Sequence, residues 1–232
     1  MTLVSAGGDG VVQVWSVVSL LDPTAGAPKP TYTWSSHSLP VTAIHIGSGT
    51  SSSCRVLTVS LDRTAKLWDM ASGKVLCTLV FPAGLTSCAM DPAEFIMCVG
   101  ASDGYIYKAE MFQLNISESK GSSIDTASSR QTFLSHTAEV TSLELSHDCN
   151  LLVSGSLDGT VVVWDLTSSE KLRTFRLHEG PITNLSLILR PRSVFNNTIV
   201  QNDVPPLDRY LSQGPVLDGV QLITTATCPP QP

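Results

Sequence analysis

The chain has 232 residues, 42% hydrophobic and only 15% charged, with a net charge of −6 and a sequence pI near 5.2. That balance describes a core-forming globular protein and excludes a disordered one. It shows no basic stripe of the kind a generic nucleic-acid binder presents.

From the N-terminus, Met1-Thr2-Leu3-Val4-Ser5 lacks the basic region that opens a signal peptide, so no secretory targeting is expected. The longest apolar stretch, Val11 to Leu21, is broken by Gln13, Ser16 and Ser19 and falls short of the roughly 18 residues a membrane span requires. Within it, Gly8-Asp9-Gly10-Val11-Val12-Gln13-Val14-Trp15 begins a pattern that returns. Leu61-Asp62-Arg63-Thr64-Ala65-Lys66-Leu67-Trp68 and Leu157-Asp158-Gly159-Thr160-Val161-Val162-Val163-Trp164 repeat it, each with Asp six residues before Trp. A fourth copy, Ser102-Asp103-Gly104-Tyr105-Ile106-Tyr107-Lys108-Ala109, keeps the Asp and the strand but has Ala109 in the Trp place. The Asp positions are separated by 53, 41 and 55 residues, against a unit of about 40–45 for a four-stranded propeller blade. The two longer intervals carry loop-like inserts, Asp22 to Pro30 and Asn115 to Arg130.

Between these anchors, short β-branched runs alternate with turn signals, as a meander of strands requires. The second unit predicts strands over Val41–Ile46, Arg55–Val59, Ala65–Asp69 and Val75–Phe81, and the third over Leu85–Met90, Phe95–Gly100, Tyr105–Glu110 and Arg130–Leu134. The fourth predicts Val140–Leu145, Leu151–Ser154, Thr160–Asp165 and Lys171–Leu177, and a fifth opens with Ile182–Leu187. The first unit lacks an innermost strand, because the chain begins at what reads as its second. The fold expected is all-β: an incomplete β-propeller over residues 1–190, with about three full four-stranded blades and two partial ones. Residues 191–232, punctuated by Pro191, Pro205-Pro206, Pro215 and Pro229-Pro230, are expected to be an irregular and least ordered tail. A fragment or splice product of a longer propeller is the expected origin of the chain, since open edges are a liability that closure removes.

These units resemble WD repeats. In that family a His before the first strand, a Ser or Thr on the second, the turn Asp and the third-strand Trp form a hydrogen-bonded chain. By position the resemblance implies His37, Thr58, Asp62 and Trp68 in the second blade, and His136, Ser154, Asp158 and Trp164 in the fourth. Ser5, Asp9 and Trp15 carry the signature in the first, and Asp103 alone in the third. The chemistry suits burial, since an indole N–H only donates, a hydroxyl passes a bond on and a carboxylate accepts. The third blade lacks the Trp, the hydroxyl (Val99) and the His (Phe81-Pro82) together. Joint apolar replacement can be nearly neutral, so that blade is expected to fold with Asp103 serving its turn alone.

A His–Ser–Asp set invites comparison with a hydrolase triad, but here it recurs in two blades and fits a structural role in each; no catalytic residues are assigned. His178 has the same role open to it if a fifth blade is completed, while His45 and His147 receive no assignment. The cysteines (Cys54, Cys77, Cys88, Cys98, Cys149, Cys228) form no C-x-x-C pair and read as small buried hydrophobes in a reducing compartment. The triplets at Asn115, Asn184 and Asn196 read as chance glycosylation matches. Gly7-Gly8-Asp9-Gly10 reads as a turn, because no helix follows it to cradle a phosphate. No metal, cofactor, small-molecule substrate or membrane partner is expected.

Three stretches outside the repeat narrow the resemblance: Trp34-Ser35-Ser36-His37-Ser38-Leu39-Pro40-Val41-Thr42, Met90-Asp91-Pro92-Ala93-Glu94, and Gly180-Pro181-Ile182-Thr183-Asn184. With Val14-Trp15-Ser16 they resemble the WD repeat-containing protein 18 family over roughly residues 1–190. That resemblance implies a non-catalytic scaffold of the nucleus, nucleolus and nucleoplasm. It implies a subunit of the rixosome, acting in precursor ribosomal RNA processing and large-subunit maturation, and meeting the pre-ribosomal particle through protein partners. Fungal relatives add a link to replication-licensing complexes on chromatin. Members also have further N-terminal blades and a C-terminal helical segment used in self-association; neither stands in this sequence, so self-association is not carried over. Residues beside the turn Asp are the candidate partner-binding positions: Gly8, Leu61, Arg63, Ser102, Leu157 and Gly159. The alternative of a ubiquitin-ligase substrate receptor implies an Arg two residues after each Trp-Asp pair, where this chain has Ala71 and Thr167.

Overall fold

A computed structural model of the chain describes residues 2–21, 27–49, 54–111, 123–124, 131–134, 136–176 and 178–188. The tail from 191, most of both inserts, Cys228, and the triplets beginning at Asn115 and Asn196 lie outside these residues. The first blade comprises β1 (Thr2–Ala6), β2 (Val12–Ser16) and β3 (Tyr32–Trp34), with a five-residue helix, α1 (Val17–Leu21), after β2. The second comprises β4 (Val41–Ile46), β5 (Arg55–Ser60), β6 (Thr64–Asp69) and β7 (Lys74–Val80). The third has β8 (Leu85–Met90), β9 (Ile96–Ala101) and β10 (Tyr105–Glu110); after β11 (Ser123–Ile124) it is completed by β12 (Gln131–Leu134). The fourth comprises β13 (Val140–Leu145), β14 (Leu151–Ser156), β15 (Val161–Asp165) and β16 (Lys171–Phe175).

Within each blade the strands are antiparallel neighbours in chain order, which makes the fold an incomplete WD-repeat β-propeller. Residues 85–110 form the three adjacent antiparallel strands expected of the degenerate blade. β11, which the sequence did not announce, leaves the third blade's insert and pairs in parallel with β7, giving the second sheet a fifth strand. The strand expected over Ile182–Leu187 is corrected: residues 181–188 form no strand. Ile182 is buried and donates its N–H to the Ser156 carbonyl at 3.0 Å. A strand needs a continuous ladder, and apolar alternation alone does not supply one.

The core lies between blades rather than within them. One cluster joins blades one and two around Val12, Trp34, Val56 and Trp68. A second joins two and three around Leu67, Leu79, Met97, Val99 and Ala109. The third joins three and four around Ile106, Phe133, Val162 and Trp164. Register explains the repetition. Trp34, Leu79 and Phe133 each stand on the last strand of their own blade (β3, β7 and β12), opposite the residue three after a turn Asp (Val12, Ala65 and Ile106). Each then meets the next blade's Trp position. Trp34 stacks on Trp68 at 4.3 Å, Phe133 meets Trp164 edge-on at 5.2 Å, and Leu79 shares its cluster with Ala109.

The innermost strands are linked by a second repeated device. β4, β8 and β13 each carry a bulge at the same point, with Thr42, Thr86 and Thr141 as the extra residue. Each of these hydroxyls donates to the segment that follows its blade: Thr42 to the Leu85 carbonyl at 2.8 Å, Thr86 to that of Val140 at 2.6 Å, and Thr141 to that of Ile182, in the strandless stretch after blade four, at 2.6 Å.

Candidate functional site: turn faces and buried polar chains

In the second blade Trp68 Nε1 donates to Thr58 Oγ1 at 2.9 Å, His37 Nε2 lies 2.9 Å from the same oxygen, and His37 Nδ1 lies 3.0 Å from Asp62 Oδ2. These contacts fix a direction. A carboxylate only accepts, so Nδ1 carries the proton, and Nε2 of the neutral ring accepts the Thr58 hydroxyl that has received the indole. Burial pushes the His37 imidazole below its ordinary 6.5, against the pull of the Asp62 hydrogen bond and charge. The ring is therefore neutral at pH 7, which this direction requires. Asp62 is also an acceptor for the Ser38 N–H at 3.0 Å and the Thr64 N–H at 2.9 Å.

The Thr64 hydroxyl lies 3.1 Å from His37 Nδ1 and donates to Asp62; the fourth blade repeats this chain, Thr included, with a longer step from the His to the Asp. Trp164 Nε1 donates to Ser154 Oγ at 2.9 Å, and His136 Nε2 lies 2.8 Å from it. His136 Nδ1 is 3.0 Å from Thr160 Oγ1, close to the 3.1 Å of His37 from Thr64, but 3.4 Å from Asp158 Oδ2 where His37 is 3.0 Å from Asp62. The Thr160 hydroxyl in turn donates to Asp158. Burial raises the Asp158 carboxyl pKa, but the Thr160 hydroxyl, the Thr137 and Thr160 N–H groups and His136 outweigh it and bring it to about 2. Thr64 and Thr160 escaped the sequence reading, although the signal was present. A Thr stands two residues after the turn Asp in the two blades that have the His, and Val11 or Tyr105 stands there in the others.

Blade one retains Trp15 Nε1 donating to Ser5 Oγ at 3.1 Å, and Asp9 accepting the Val11 N–H at 3.1 Å. In blade three Asp103 accepts the Tyr105 N–H at 3.1 Å. The positions of the missing chain are filled by buried Phe81, Val99 and Ala109, with Phe81 packed on Tyr107 at 5.3 Å. That blade is tied to its neighbours by the loop 91–94 after β8. The Asp91 carboxylate, buried, accepts the Ala93 N–H at 3.0 Å and the Cys149 thiol of blade four at 2.6 Å. Glu94, in a left-handed conformation (φ 59°), pairs with Arg55 of blade two, Oε2 to Nε at 3.6 Å. From β10, buried Lys108 donates to the Leu166 carbonyl of blade four at 3.1 Å.

Of the candidate partner-binding residues, Gly8, Leu61, Arg63, Ser102 and Leu157 are exposed. Gly159 is not on the surface: it is buried against the His178 and Gly180 carbonyls, where an added Cβ would come within 2.9 and 3.0 Å. Gly10 and Gly104 lie closer still to the His37 and His136 carbonyls, at 2.7 and 2.5 Å by the same measure. All three have φ near 80°, as does the turn position generally, Arg63 included at 66°. Arg63 faces the one junction without a His; its carbonyl accepts the Phe81 N–H at 2.8 Å. Cys54, Cys77, Cys88 and Cys98 are buried free thiols, and burial pushes the Cys88 and Cys98 thiols up to about 12. Among the described residues no helix is long and apolar enough to cross a membrane, and no three His, Cys, Asp or Glu side chains are grouped to hold a metal ion.

The family model "WD domain, G-beta repeat" matches residues 28–69 and 127–165, each span running from the last strand of one blade through the first three strands of the next (β3 to β6 and β12 to β15). The chain is 34% identical over 218 residues to WD repeat-containing protein 18 of Danio rerio, covering 93% of this chain and 50% of that protein. With WD repeat-containing protein 18 of Homo sapiens it shares 38% over 196 residues, 84% of this chain and 44% of the relative. The pre-rRNA-processing protein IPI3 of Yarrowia lipolytica is 35% identical over 198 residues, 80% of this chain and 46% of that protein. The chain thus spans about half the length of the curated relatives it matches. The similarity covers blades with and without the Asp-to-Trp signature, and the chain belongs to the WD repeat-containing protein 18 family.

Proposed function

We propose that the chain is part of a non-catalytic scaffold for ribosome biogenesis, a subunit of a rixosome-like complex that processes precursor ribosomal RNA in the nucleus and nucleolus. The observation that carries this reading is similarity, across the blades, to relatives whose names include pre-rRNA processing. The turn chemistry supports the non-catalytic part. His37, Thr58 and Asp62, and likewise His136, Ser154 and Asp158, spend their donors and acceptors on one another and on the adjoining Trp. A nucleophile whose hydroxyl is occupied by an indole inside a sheet has no room for a substrate. On this reading the eight residues are a structural set, and exposed Gly8, Leu61, Arg63, Ser102 and Leu157 are where partners meet the turn face. The test is affinity isolation of the tagged protein from nuclear extract, with co-purifying proteins and precursor ribosomal RNA measured. Recovery of rRNA-processing subunits is expected; their absence would defeat the proposal.

A further inference from the structure

One cleft on blade four differs in chemistry from the same place on blade two. It is lined by Thr137, Asp158, Gly159, Thr160, Lys171, Thr174, Arg176 and His178, and has a volume of about 570 Å³. Strand register shows what changed. Lys171 stands opposite Trp164 where Val75 stands opposite Trp68, and Thr174 stands opposite Val162 where Thr78 stands opposite Lys66. Two residues further on, Arg176 stands where blade two has Val80, and His178 stands at the junction where blade two has Phe81-Pro82. At these strand positions blade two has two valines where blade four has Lys171 and Arg176, and its own basic side chains stand elsewhere, Arg63 at the place of Gly159 and Lys66 at that of Val162. The chain as a whole carries −6, so this cationic grouping runs against the overall charge.

Among the described lining residues the one carboxylate, that of Asp158, is already committed. Asp158 Oδ1 accepts the Thr160 N–H and hydroxyl, and Oδ2 accepts the Thr137 N–H at 3.0 Å with His136 alongside. Lys171, Thr174, Arg176, His178 and Thr137 are all exposed, so a ligand reaches them without unfolding the blade. Arg presents a planar fork matched to a carboxylate, and such charge-assisted bonds are the stronger kind.

We propose that this cleft binds a carboxylate-bearing side chain from an acidic segment of a partner protein, with Arg176 as the principal contact and Lys171, His178 and the threonine hydroxyls around it. The partner's being a protein rests on the scaffold reading. The charge pattern also favours it over RNA: polyanion binding grows with the number of phosphates neutralised, and here the cations converge on one point instead of forming a stripe.

The test is fluorescence anisotropy on the purified full chain with a labelled octaglutamate peptide, against octaglutamine and oligouridine as controls. Arg176→Ala with Lys171→Ala is expected to weaken octaglutamate binding about tenfold or more, a difference of about 1.4 kcal/mol. Arg173→Ala is the control, because Arg173 carries the same charge on the same strand but pairs with Val163 and lies outside the cleft lining. It should change binding less than about twofold, the scale of exposed charges at a distance. The proposal is overturned if octaglutamate binds no better than octaglutamine, if Arg173→Ala loses as much as the cleft variants, or if oligouridine binds as tightly. The substituted residues are exposed, and circular dichroism of each variant verifies the fold. A failed peptide titration leaves the affinity isolation above unaffected, and a failed isolation leaves the titration readable.

Discussion

Thr58 is the residue on which the second blade's polar chain turns. It is fully buried and its hydroxyl links Trp68 to His37. Thr58→Val keeps the shape but strands an indole N–H and an imidazole nitrogen, so a loss of about 1–3 kcal/mol is expected, read from the urea midpoint. Blade three has already made the whole replacement, with Val99 and Ala109 in these two places. The histidines set a pH dependence with a definite sign. Burial holds His37 and His136 below 6.5 in the folded state, so between the two values the unfolded chain binds more protons. Stability is therefore expected to fall as pH drops below about 6.5 and to level off once pH passes the depressed folded values. Asp158, at about 2 when folded, adds a second loss starting near the ordinary carboxylate range of about 4 and running down to its folded value. Denaturation midpoints across pH 8 to 2 check both. The Asp-to-Trp spacing was legible in sequence because both residues lie on one turn and one strand. The Thr64 and Thr160 link is equally local, a fifth partner two residues after the turn Asp, and it lies outside the four-residue pattern that the family resemblance implies.

At the scale of the strand and turn, legibility ends where the next blade begins. Gly104 sits at φ 84° with the His136 carbonyl 2.5 Å from where a Cβ would be. Gly104→Ala therefore combines left-handed strain with a backbone collision, and about 1–3 kcal/mol of destabilisation is expected. Arg63→Gly, at a turn of the same hand (φ 66°), should stay within about 1 kcal/mol, because relief of strain is offset by a freer unfolded chain. Thermal unfolding of the pair decides whether the collision or the dihedral matters more. The loop 91–94 behaves similarly. Met90-Asp91-Pro92-Ala93-Glu94 was legible as a distinctive stretch, but its reach into Cys149 on one side and Arg55 on the other was not. Asp91→Ala removes the acceptor for both the Ala93 N–H and the Cys149 thiol and is expected to cost about 1–3 kcal/mol. The matching measurement is again a denaturation midpoint, and an unchanged value would mean the seam has other support. The segment 182–187 marks the opposite error. Its apolar pattern reads as a strand, and Ile182 does dock on the fourth blade, but no ladder forms.

For the whole molecule, the core clusters and the bulge hydroxyls both run from each blade to the next, so stability is shared along the series much as in other repeat proteins. Hydrogen exchange is expected to follow. Amides of β5, β9 and β14, whose strands are almost wholly buried, should exchange slowly, and those of β16, exposed along its length, quickly. Peptide-resolved deuterium uptake distinguishes this from uniform protection. The fold class was legible at this scale because the repeat declares it; the partners were not, since they depend on exposed residues that the repeat leaves free to vary. The left-handed turns carry a last consequence. Gly10, Gly104 and Gly159 each lie against a carbonyl at the following junction, while Arg63 precedes the junction that has Phe81 in place of His. Each turn is thus written for its successor, and the blades are not interchangeable modules. Shuffling them would put Arg63 against a histidine junction, so their order along the chain is itself encoded, one turn at a time.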